Sequence, residues 1–396
     1  MKTEPATVEN VRFAEYVLPG HPDRLADAIA DALVDAACER DPDALVAVEV
    51  AVHRNVVFVD GRIAGNKATG IDVEGSVRDV FAEVGYDRWQ PAPAELRIVS
   101  DLCLDNLQDG EREIRGVSDD QSVVMGYACG DERTNFLPVE HFLARTLAEQ
   151  LNRVRCEHPD VLGPDGKVLV AIGGQPEAPT LRIVSVSAHH AQDADDVEVA
   201  RLARGAVEMW IEGAKRAFPS LGRGNLGPEV LRINGAGAFA VGGPYGDNGL
   251  SGKKLVVDFY GPAVPIGGGA LCGKDPHKVD RCGPLRARQI AKHLVASGLC
   301  RDALVRFAYV PGGSAPAQVT IESDGRPLEP RLAHRWLSGY DLTLAGSHRD
   351  LGLAAVRFRP FVAWGPWSDA HLPWECWSPG GRGCAPKARA LVNEVG

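Results

Sequence analysis

The sequence of 396 residues contains no apolar run of the roughly 18–20 residues that a helix needs to cross a bilayer. Its first thirteen residues include Glu4 and Glu9, and they lack the apolar core of a secretory signal. We therefore expect neither export nor a membrane partner.

Excess positive charge is also missing, because 43 Lys and Arg residues stand against 53 Asp and Glu residues, a net charge of −10 at pH 7. General nucleic-acid binders carry the opposite balance, so nucleic acid is not expected as a partner. The nine cysteines are odd in number and never form a Cys-x-x-Cys pair. This spacing argues against a disulfide framework and against a zinc site, and it predicts reduced thiols in the cytoplasm.

Apolar side chains are sufficient for a folded chain, since 45% of the residues are hydrophobic. The length is typical of two or three domains, or of one composite domain. Strand-like and helix-like segments are mixed, and this order repeats about three times along the chain. The pattern predicts the α+β class, with sheets covered on one face by helices.

The clearest helix signal follows Gly20-His21-Pro22-Asp23, where Leu25, Ile29 and Leu33 recur every four residues. Pro22 suits the first turn of this helix, and Asp23, Asp27 and Asp31 share another of its faces. Three further local predictions are a turn at Asp60-Gly61 that closes a strand, a mobile polar loop over 102–118, and a strand over Leu255–Tyr260.

Glycine-rich segments do not fit the common nucleotide motifs. Asn234-Gly235-Ala236-Gly237 lacks the third glycine of the dinucleotide fingerprint, and Asp275 follows Gly273-Lys274 where a P-loop has Ser or Thr. The region 247–281 nevertheless mixes glycines with basic and acidic residues: Lys253, Lys254, Lys274, Lys278, Arg281, Asp247, Asp258, Asp275 and Asp280. Ammonium groups neutralise phosphate oxygens and carboxylates hold divalent cations, so this region suits a polyphosphate site. A solvated charged face is the more frequent explanation of such a pattern, and both interpretations stay open from these residues alone.

Four motifs stand in a characteristic order: Gly20-His21-Pro22-Asp23-Arg24, Asp119-Asp120-Gln121 with Gly126-Tyr127-Ala128, Gly242-Gly243-Pro244 through Gly252-Lys253-Lys254, and Gly267-Gly268-Gly269 through Lys278-Val279-Asp280-Arg281. With these motifs the chain resembles the S-adenosylmethionine synthetase family over nearly its whole length. The resemblance implies three similar α+β subdomains around a pseudo-threefold, over residues 6–102, 115–237 and 238–378.

The resemblance also implies an adenosyltransferase of one-carbon metabolism. A thioether sulfur attacks C5′ of ATP and expels triphosphate, which is then hydrolysed to phosphate and pyrophosphate. No general base is needed, because a thioether has no proton to lose. Catalysis would come from placing the sulfur in line with C5′ and from stabilising the departing polyanion.

Site residues follow from the matched motifs. The resemblance implies catalytic roles for His21, Lys167, Lys254 and Lys274. It implies ATP or triphosphate contacts for Lys253, Lys278, Asp120, Asp247, Phe239 and Arg281. Asp23 and Asp280 would each hold one of two Mg²⁺ ions, and Glu49 matches a K⁺-site glutamate. The same family implies a homodimer with shared active sites, to which the partner contributes Asp120 and the surroundings of Glu49, and it leaves a tetramer open.

The sequence departs from the family around the sulfur substrate, where we place Arg62, Asp120, Asp247 and Val310. Arg62 stands near the position of a family glutamate that receives the substrate ammonium. At 4 Å a carboxylate–ammonium pair is worth about 4 kcal/mol at an effective dielectric of 20, and an arginine would reverse its sign.

Three interpretations stay open from the sequence. In the first, Arg62 points to solvent while Asp60 or Asp247 receives the ammonium of methionine. In the second, the protein is an adenosyltransferase of specialised metabolism whose sulfur nucleophile carries an added carboxylate or lacks the amino group. The third is a non-catalytic nucleotide-binding subunit, against which the retained His21 and Lys167 argue.

Overall fold

The computed structural model describes residues 10–223 and 226–376, so the predicted outer boundaries at 6 and 378 lie outside the described residues. The strands are β1 (Arg12–Val17), β2 (Leu45–His53), β3 (Val56–Ala64), β4 (Arg97–Asp105), β5 (Ser122–Cys129), β6 (Leu162–Gly173), β7 (Thr180–His190), β8 (Leu231–Ile233), β9 (Gly249–Leu250), β10 (Asp302–Tyr309), β11 (Gln318–Ser323) and β12 (Arg326–Pro327).

The helices are α1 (Pro22–Arg40), α2 (Val73–Phe81), α3 (Val139–Glu157), α4 (Asp196–Ala214), α5 (Gly243–Gly246), α6 (Leu255–Asp258), α7 (Val279–Ala296), α8 (Pro330–Leu337), α9 (Leu344–Asp350) and α10 (Arg359–Val362). In the part of the chain that the structure describes, none of these helices combines the length and apolar character that a membrane crossing requires.

These strands form three four-stranded sheets, in the orders β1-β6-β7-β8, β4-β3-β2-β9 and β12-β11-β10-β5. Each sheet is built on an antiparallel pair: β6 with β7, β2 with β3, and β10 with β11. The first strand of each pair has a second antiparallel neighbour from a distant part of the chain: β1, β9 and β5 respectively. This repeated plan confirms the predicted α+β class with three similar units.

The exchanged strands cross the predicted segment boundaries, which stay predictions. Helices α3 and α4 pack their apolar residues on the β6–β7 sheet and form one core. Helices α1 and α7 pack against the other two sheets, and their apolar residues join one continuous second core. Unfolding one unit therefore also disrupts a sheet and a core that it shares with another unit.

The amphipathic prediction for α1 is confirmed. Leu25, Ile29 and Leu33 are fully buried, and Pro22 lies in the first turn after the His21 cap. The aspartates Asp23, Asp27 and Asp31 on the other face are buried as well. A helix buried on two faces lies between layers of the protein rather than on its surface.

Three local predictions are wrong. β3 continues through Asp60 and Gly61 to Ala64, because a Cβ at Gly61 would lie 2.1 Å from the Ala47 carbonyl oxygen and glycine alone permits the approach. β4 extends to Asp105, so the predicted 102–118 loop begins four residues later. Residues Leu255–Asp258 form the short helix α6 instead of a strand.

A buried ion cluster fastens the end of the described chain to α7. Glu375 accepts a hydrogen bond from Arg288 Nε at 2.8 Å and one from Lys292 Nζ at 2.8 Å, and Asn135 Nδ2 donates to it at 2.9 Å. The side chains of Arg288 and Glu375 are fully inaccessible to solvent. Removing one member leaves the others charged and buried.

We expect Glu375→Ala to lower the free energy of unfolding by about 3–5 kcal/mol, because Arg288 and Lys292 lose their counter-charge in the interior. Glu322→Ala is the matched control, since Glu322 pairs with Arg306 at 2.6 Å on the surface, and its loss should cost about 1 kcal/mol or less. Urea denaturation of both variants measures the difference. Equal losses would contradict the assignment of Glu375 as a structural charge.

Burial also makes one histidine sensitive to acid. His141 is buried in α3, its ring centroid lies 6.0 Å from that of Tyr16, and desolvation together with Arg145 lowers its pKa to about 3. The unfolded chain therefore binds more protons than the folded chain below pH 6.5, and stability falls as the pH falls toward 3. We expect His141 to account for about 2 kcal/mol of the loss between pH 7 and pH 5.

The unfolding free energy of His141→Phe should consequently fall less steeply over this range than that of the wild-type protein. His371→Phe, at an exposed position, should leave the pH dependence unchanged. Parallel curves for wild type and His141→Phe would show that His141 is protonated in the folded protein.

Candidate active site

The acidic face of α1 holds two glycine-rich loops by their backbones. Asp23, Asp27 and Asp31 accept backbone N–H groups of Leu250 at 3.0 Å, Gly252 at 2.8 Å and Gly273 at 2.9 Å. The first two of these N–H groups belong to the loop with Lys253 and Lys254, and the third belongs to the loop with Lys274. Helix α1 therefore positions most of the lysines that the sequence assigns to phosphate.

Asp23 and Lys254 form an ion pair beside the start of α1. Lys253 Nζ lies 3.8 Å from Asp23 Oδ1. Burial by itself raises the pKa of Asp23, but the hydrogen bonds from Lys254 and Leu250 outweigh it and lower the pKa. Asp23 is consequently a carboxylate at neutral pH, and it faces two ammonium groups.

His21 caps α1, and its Nδ1 accepts the backbone N–H of Asp23 at 3.2 Å. Burial and the nearby Lys254 lower its pKa to about 4. The ring is therefore neutral at pH 7, with Nδ1 fixed as an acceptor and Nε2 as the remaining N–H donor. A neutral donor at this point can contact an anion without adding a buried positive charge.

A cleft of about 360 Å³ opens beside His21. Its lining brings together Lys167 from β6 and Phe239 and Asp247 from the loops around α5. Lys167 is half-exposed and pairs with Glu15 on the neighbouring strand β1, with 2.7 Å between Nζ and Oε2. Four residues that are scattered over the sequence thus line one cavity, which carries an aromatic ring, one lysine, one aspartate and the neutral His21.

Sequence reasoning missed the residues that hold Phe239. His190 Nε2 accepts the backbone N–H of Phe239 at 2.9 Å, and the His189 ring centroid lies 5.5 Å from that of Phe239. Asp165 in turn accepts the N–H of Gly243 at 2.8 Å. The two histidines lie at the end of β7, and their adjacency is the signal that the sequence offers for them.

A second charged cluster lies where α7 begins. Lys274 Nζ and Ser122 Oγ both donate to Asp280 at 2.6 Å, and Lys278 pairs with Asp119, the neighbour of Asp120. The exposed Asp120 accepts the backbone N–H of Gln121 at 2.7 Å. The predicted site residues thus fall into two groups, one around Asp23 and one around Asp280.

Arg281 does not join either cluster with its charged group. Its guanidinium pairs with Asp31 in the interior and lies 4.3 Å from the centre of the Phe358 ring. Nε donates to the Lys274 carbonyl oxygen at 3.1 Å. Arg281 therefore supports the backbone that carries Lys274, and its predicted contact with triphosphate stays a prediction.

The carboxylates predicted to hold metal ions do not belong to larger groups of possible ligands in the described parts of the chain. Among residues 10–223 and 226–376, no group of three or more His, Cys, Asp or Glu side chains is arranged as a metal site. Mg²⁺ commonly binds through one or two carboxylates together with waters and substrate phosphates. The arrangement at Asp23 and Asp280 therefore suits metal that arrives with a phosphate ligand. Glu49 is exposed on β2 and accepts the hydroxyl of Ser251.

The Arg62 guanidinium donates hydrogen bonds to two acidic side chains. Its Nη2 donates to Glu111 Oε2 at 3.0 Å and its Nε to Asp105 Oδ1 at 3.3 Å, and the hydrogen bond from Arg62 lowers the pKa of Glu111 to about 2. One positive and two negative charges leave this group with a net charge of −1. Val310, which follows β10, is half-exposed.

Models of one known protein family match this chain in three consecutive segments. Models of the N-terminal, central and C-terminal domains of S-adenosylmethionine synthetase match residues 10–103, 115–217 and 241–376. An S-adenosylmethionine synthase of Staphylococcus epidermidis is 33% identical over 387 residues, covering 91% of this chain and 94% of the relative. S-adenosylmethionine synthase 1 of Rhodospirillum rubrum is 37% identical over 372 residues, covering 89% and 91%.

A solved structure shares the fold over the same extent. The unusual S-adenosylmethionine synthetase from Campylobacter jejuni superposes with a TM-score of 0.82 at 26% identity, covering 93% of this chain and 97% of that one.

We expect His190→Leu to weaken nucleotide binding about 5- to 10-fold, because the Phe239 backbone loses its acceptor and the ring its fixed position (about 1–1.5 kcal/mol for one buried hydrogen bond). Calorimetric binding of a non-hydrolysable ATP analogue measures the change. His158→Leu, in the turn after α3, is the matched control and should bind as the wild type does. Unchanged binding by His190→Leu would indicate that Phe239 does not contact the nucleotide.

Proposed function

Since the chain belongs to the S-adenosylmethionine synthetase family and is an ATP-dependent adenosyltransferase, we propose that it transfers the adenosyl group of ATP to the sulfur of L-methionine. A sulfur lone pair forms the S–C5′ bond as the C5′–O bond breaks, and the electron pair of that bond leaves with triphosphate. The sulfonium product keeps the positive charge, and no proton moves. Hydrolysis then splits the triphosphate into phosphate and pyrophosphate.

The cleft between His21 and Phe239 carries this proposal. It is large enough for a nucleoside, it places an aromatic ring for stacking on adenine, and it puts Lys167 and neutral His21 together on its lining. Asp247 on the same lining is placed to accept hydrogen bonds from ribose hydroxyls. Lys254 and Lys253, beside Asp23, continue from the cleft as a path for phosphates.

The leaving group would be stabilised by fixed cations. A donor aimed at developing negative charge in a partly dry site typically lowers a barrier by about 3–4 kcal/mol. Lys167, His21 and Lys254 are held by strand β6, the cap of α1 and the Asp23 ion pair respectively. The chain thus supplies positioned donors, and this chemistry requires no general base.

Metal binding is part of the proposal. Asp23 and Asp280 would each hold a Mg²⁺ ion, which would supply positive charge to stabilise the polyphosphate. The single carboxylates found here agree with metal brought by the nucleotide. Glu49 would hold the K⁺ ion.

We propose a homodimer in which the two charged clusters meet across the interface. The β2–β3–β9 sheet leaves one face uncovered, where Phe58 and Leu250 keep about two-fifths of their surface exposed, at 38% and 44%, and where Glu49 lies. Burying this face against a second copy would remove apolar surface from water. It would also allow the partner's Asp280 cluster to complete a site that one chain holds only in part.

The Arg62 cluster supports methionine over a nucleophile with an added carboxylate. Because Asp105 and Glu111 already neutralise the guanidinium, Arg62 is not free to repel an ammonium or to attract a second carboxylate. The net charge of −1 has the sign that an amino group requires. The described cysteines are free thiols, which agrees with a reducing compartment such as the cytoplasm.

We expect the purified protein with ATP, Mg²⁺, K⁺ and methionine to form S-adenosylmethionine, detected by mass spectrometry. Lys254→Met should lower kcat/KM about 100-fold or more, since it removes a cation from the polyanion path. Lys215→Met, at a surface pair with Glu212, is the matched control. Preference for another thioether over methionine, or full activity of Lys254→Met, would contradict the proposal.

A further inference from the structure

Three polar contacts join the chain before β5 to the chain before α7. Arg115 pairs with Asp275, Asp119 pairs with Lys278, and Ser122 donates to Asp280 at 2.6 Å. The contacts follow the same order along both segments. The two segments are therefore aligned side by side, and the position of Asp119 beside Lys278 is set by a contact on either side of it.

The first of these contacts is firmly buried. Asp275 is inaccessible to solvent and also accepts the backbone N–H of Val46 at 2.8 Å. Arg115 donates in addition to the Ala44 carbonyl oxygen at 2.9 Å. Asp119 is thus presented to Lys278 from a segment that is anchored to β2.

Asp119 differs from Asp23 and Asp280, the two other aspartates that pair with site lysines. Asp23 and Asp280 pair with Lys254 and Lys274, and the proposed function gives both aspartates a metal to hold. Asp119 has no such task, and it belongs to no group of three possible metal ligands in the described parts of the chain. Its side chain is 43% exposed whereas that of Lys278 is 15% exposed, so the carboxylate covers the ammonium from the solvent side.

We propose that Asp119 is an internal anion that occupies Lys278 in the resting protein and must be displaced when the triphosphate binds. This rests on the proposed function together with the triphosphate contact that the family resemblance implies for Lys278. A carboxylate and a phosphate oxygen both accept charge-assisted hydrogen bonds from the same ammonium. Each polyphosphate therefore binds at the expense of the Asp119–Lys278 pair. Asp119 consequently weakens polyphosphate binding and favours release of phosphate and pyrophosphate.

The displacement of Asp119 from Lys278 bears on how the hydrolysis products leave the site. Triphosphate and pyrophosphate carry the same charged groups as ATP, and a site that binds them tightly is slow to empty. An internal carboxylate returns to Lys278 as soon as the product leaves, so it lowers the affinity for every polyphosphate by a similar factor. Asp119 is in this sense a positioning residue for Lys278 rather than a group that contacts reacting atoms.

The test measures binding of tripolyphosphate to the full chain in the presence of Mg²⁺ by calorimetry, without methionine or turnover. Asp119→Asn keeps the shape and removes the charge, and Asp109→Asn makes the same charge change at an exposed position of the preceding loop. We expect about 3- to 5-fold tighter binding for Asp119→Asn and no change for Asp109→Asn, as fits one partly exposed ion pair.

A double-mutant cycle with Lys278→Met makes the assignment specific. In the Lys278→Met background, Asp119→Asn should change the dissociation constant less than 1.5-fold, because the lysine for which carboxylate and phosphate compete is gone. In kinetics, the KM for ATP of Asp119→Asn should fall and inhibition by pyrophosphate should strengthen.

Weaker binding by Asp119→Asn, or an equal effect with and without Lys278, would overturn the inference. A higher Mg²⁺ requirement of Asp119→Asn would overturn it as well, since that marks a metal ligand. Failure of the proposed function has a different signature. A wild-type protein that makes no S-adenosylmethionine contradicts the proposed reaction, while the tripolyphosphate cycle still reports on Asp119.

Discussion

The carboxylate face of α1 is the constraint on which the site depends. Three aspartates, spaced one turn apart, accept backbone N–H groups from two loops that are more than 200 residues away in sequence. Hydrogen bonds to charged acceptors contribute about 1.5–3 kcal/mol each, more than ordinary backbone bonds. They fix loops whose many glycines give no side-chain packing. Without these carboxylates, the loops that carry Lys253, Lys254 and Lys274 would not be fixed relative to one another.

Burying three carboxylates requires counter-charges, and the fold supplies them from α1 itself and from α7. Arg24 pairs with Asp258 and lies 3.6 Å from Asp27, and Arg281 pairs with Asp31. Both arginines belong to motifs that the sequence assigns to the active site, yet their charges support the interior beneath it. The strand exchange has a similar effect, because β9 joins the sheet of β2 only two residues before Lys253. Charge pairing and sheet pairing therefore fix the same loop from two sides.

Much of this was predictable because it is local. The cap at His21, the stripe of Leu25, Ile29 and Leu33 and the lysine-rich glycine loops all follow from short-range patterns. The errors have tertiary causes. The sequence pattern predicts a turn at Gly61, but glycine is required there because β3 passes close to the Ala47 carbonyl oxygen. The sign of the charge around Arg62 depended on Asp105 and Glu111, which lie more than 40 positions away and meet it only through the register of β3 and β4.

The ion pairs of the resting site bear on how nucleotide and metal bind. Lys254 and Lys274 each hold an aspartate that the proposed function gives to a metal ion. If a phosphate alone took these two lysines and Lys253, which lies 3.8 Å from Asp23 Oδ1, Asp23 would remain buried without a counter-charge, at a cost of several kcal/mol. If a metal alone took the aspartates, the ammonium groups would lose theirs. Only simultaneous exchange, with phosphate passing to lysine and metal to aspartate, keeps every charge paired. With metal held by Asp23 and Asp280 as proposed, nucleotide and metal would therefore bind as one cooperative unit. Lys278 and Lys167 are exceptions, because their carboxylates, Asp119 and Glu15, have no metal to receive.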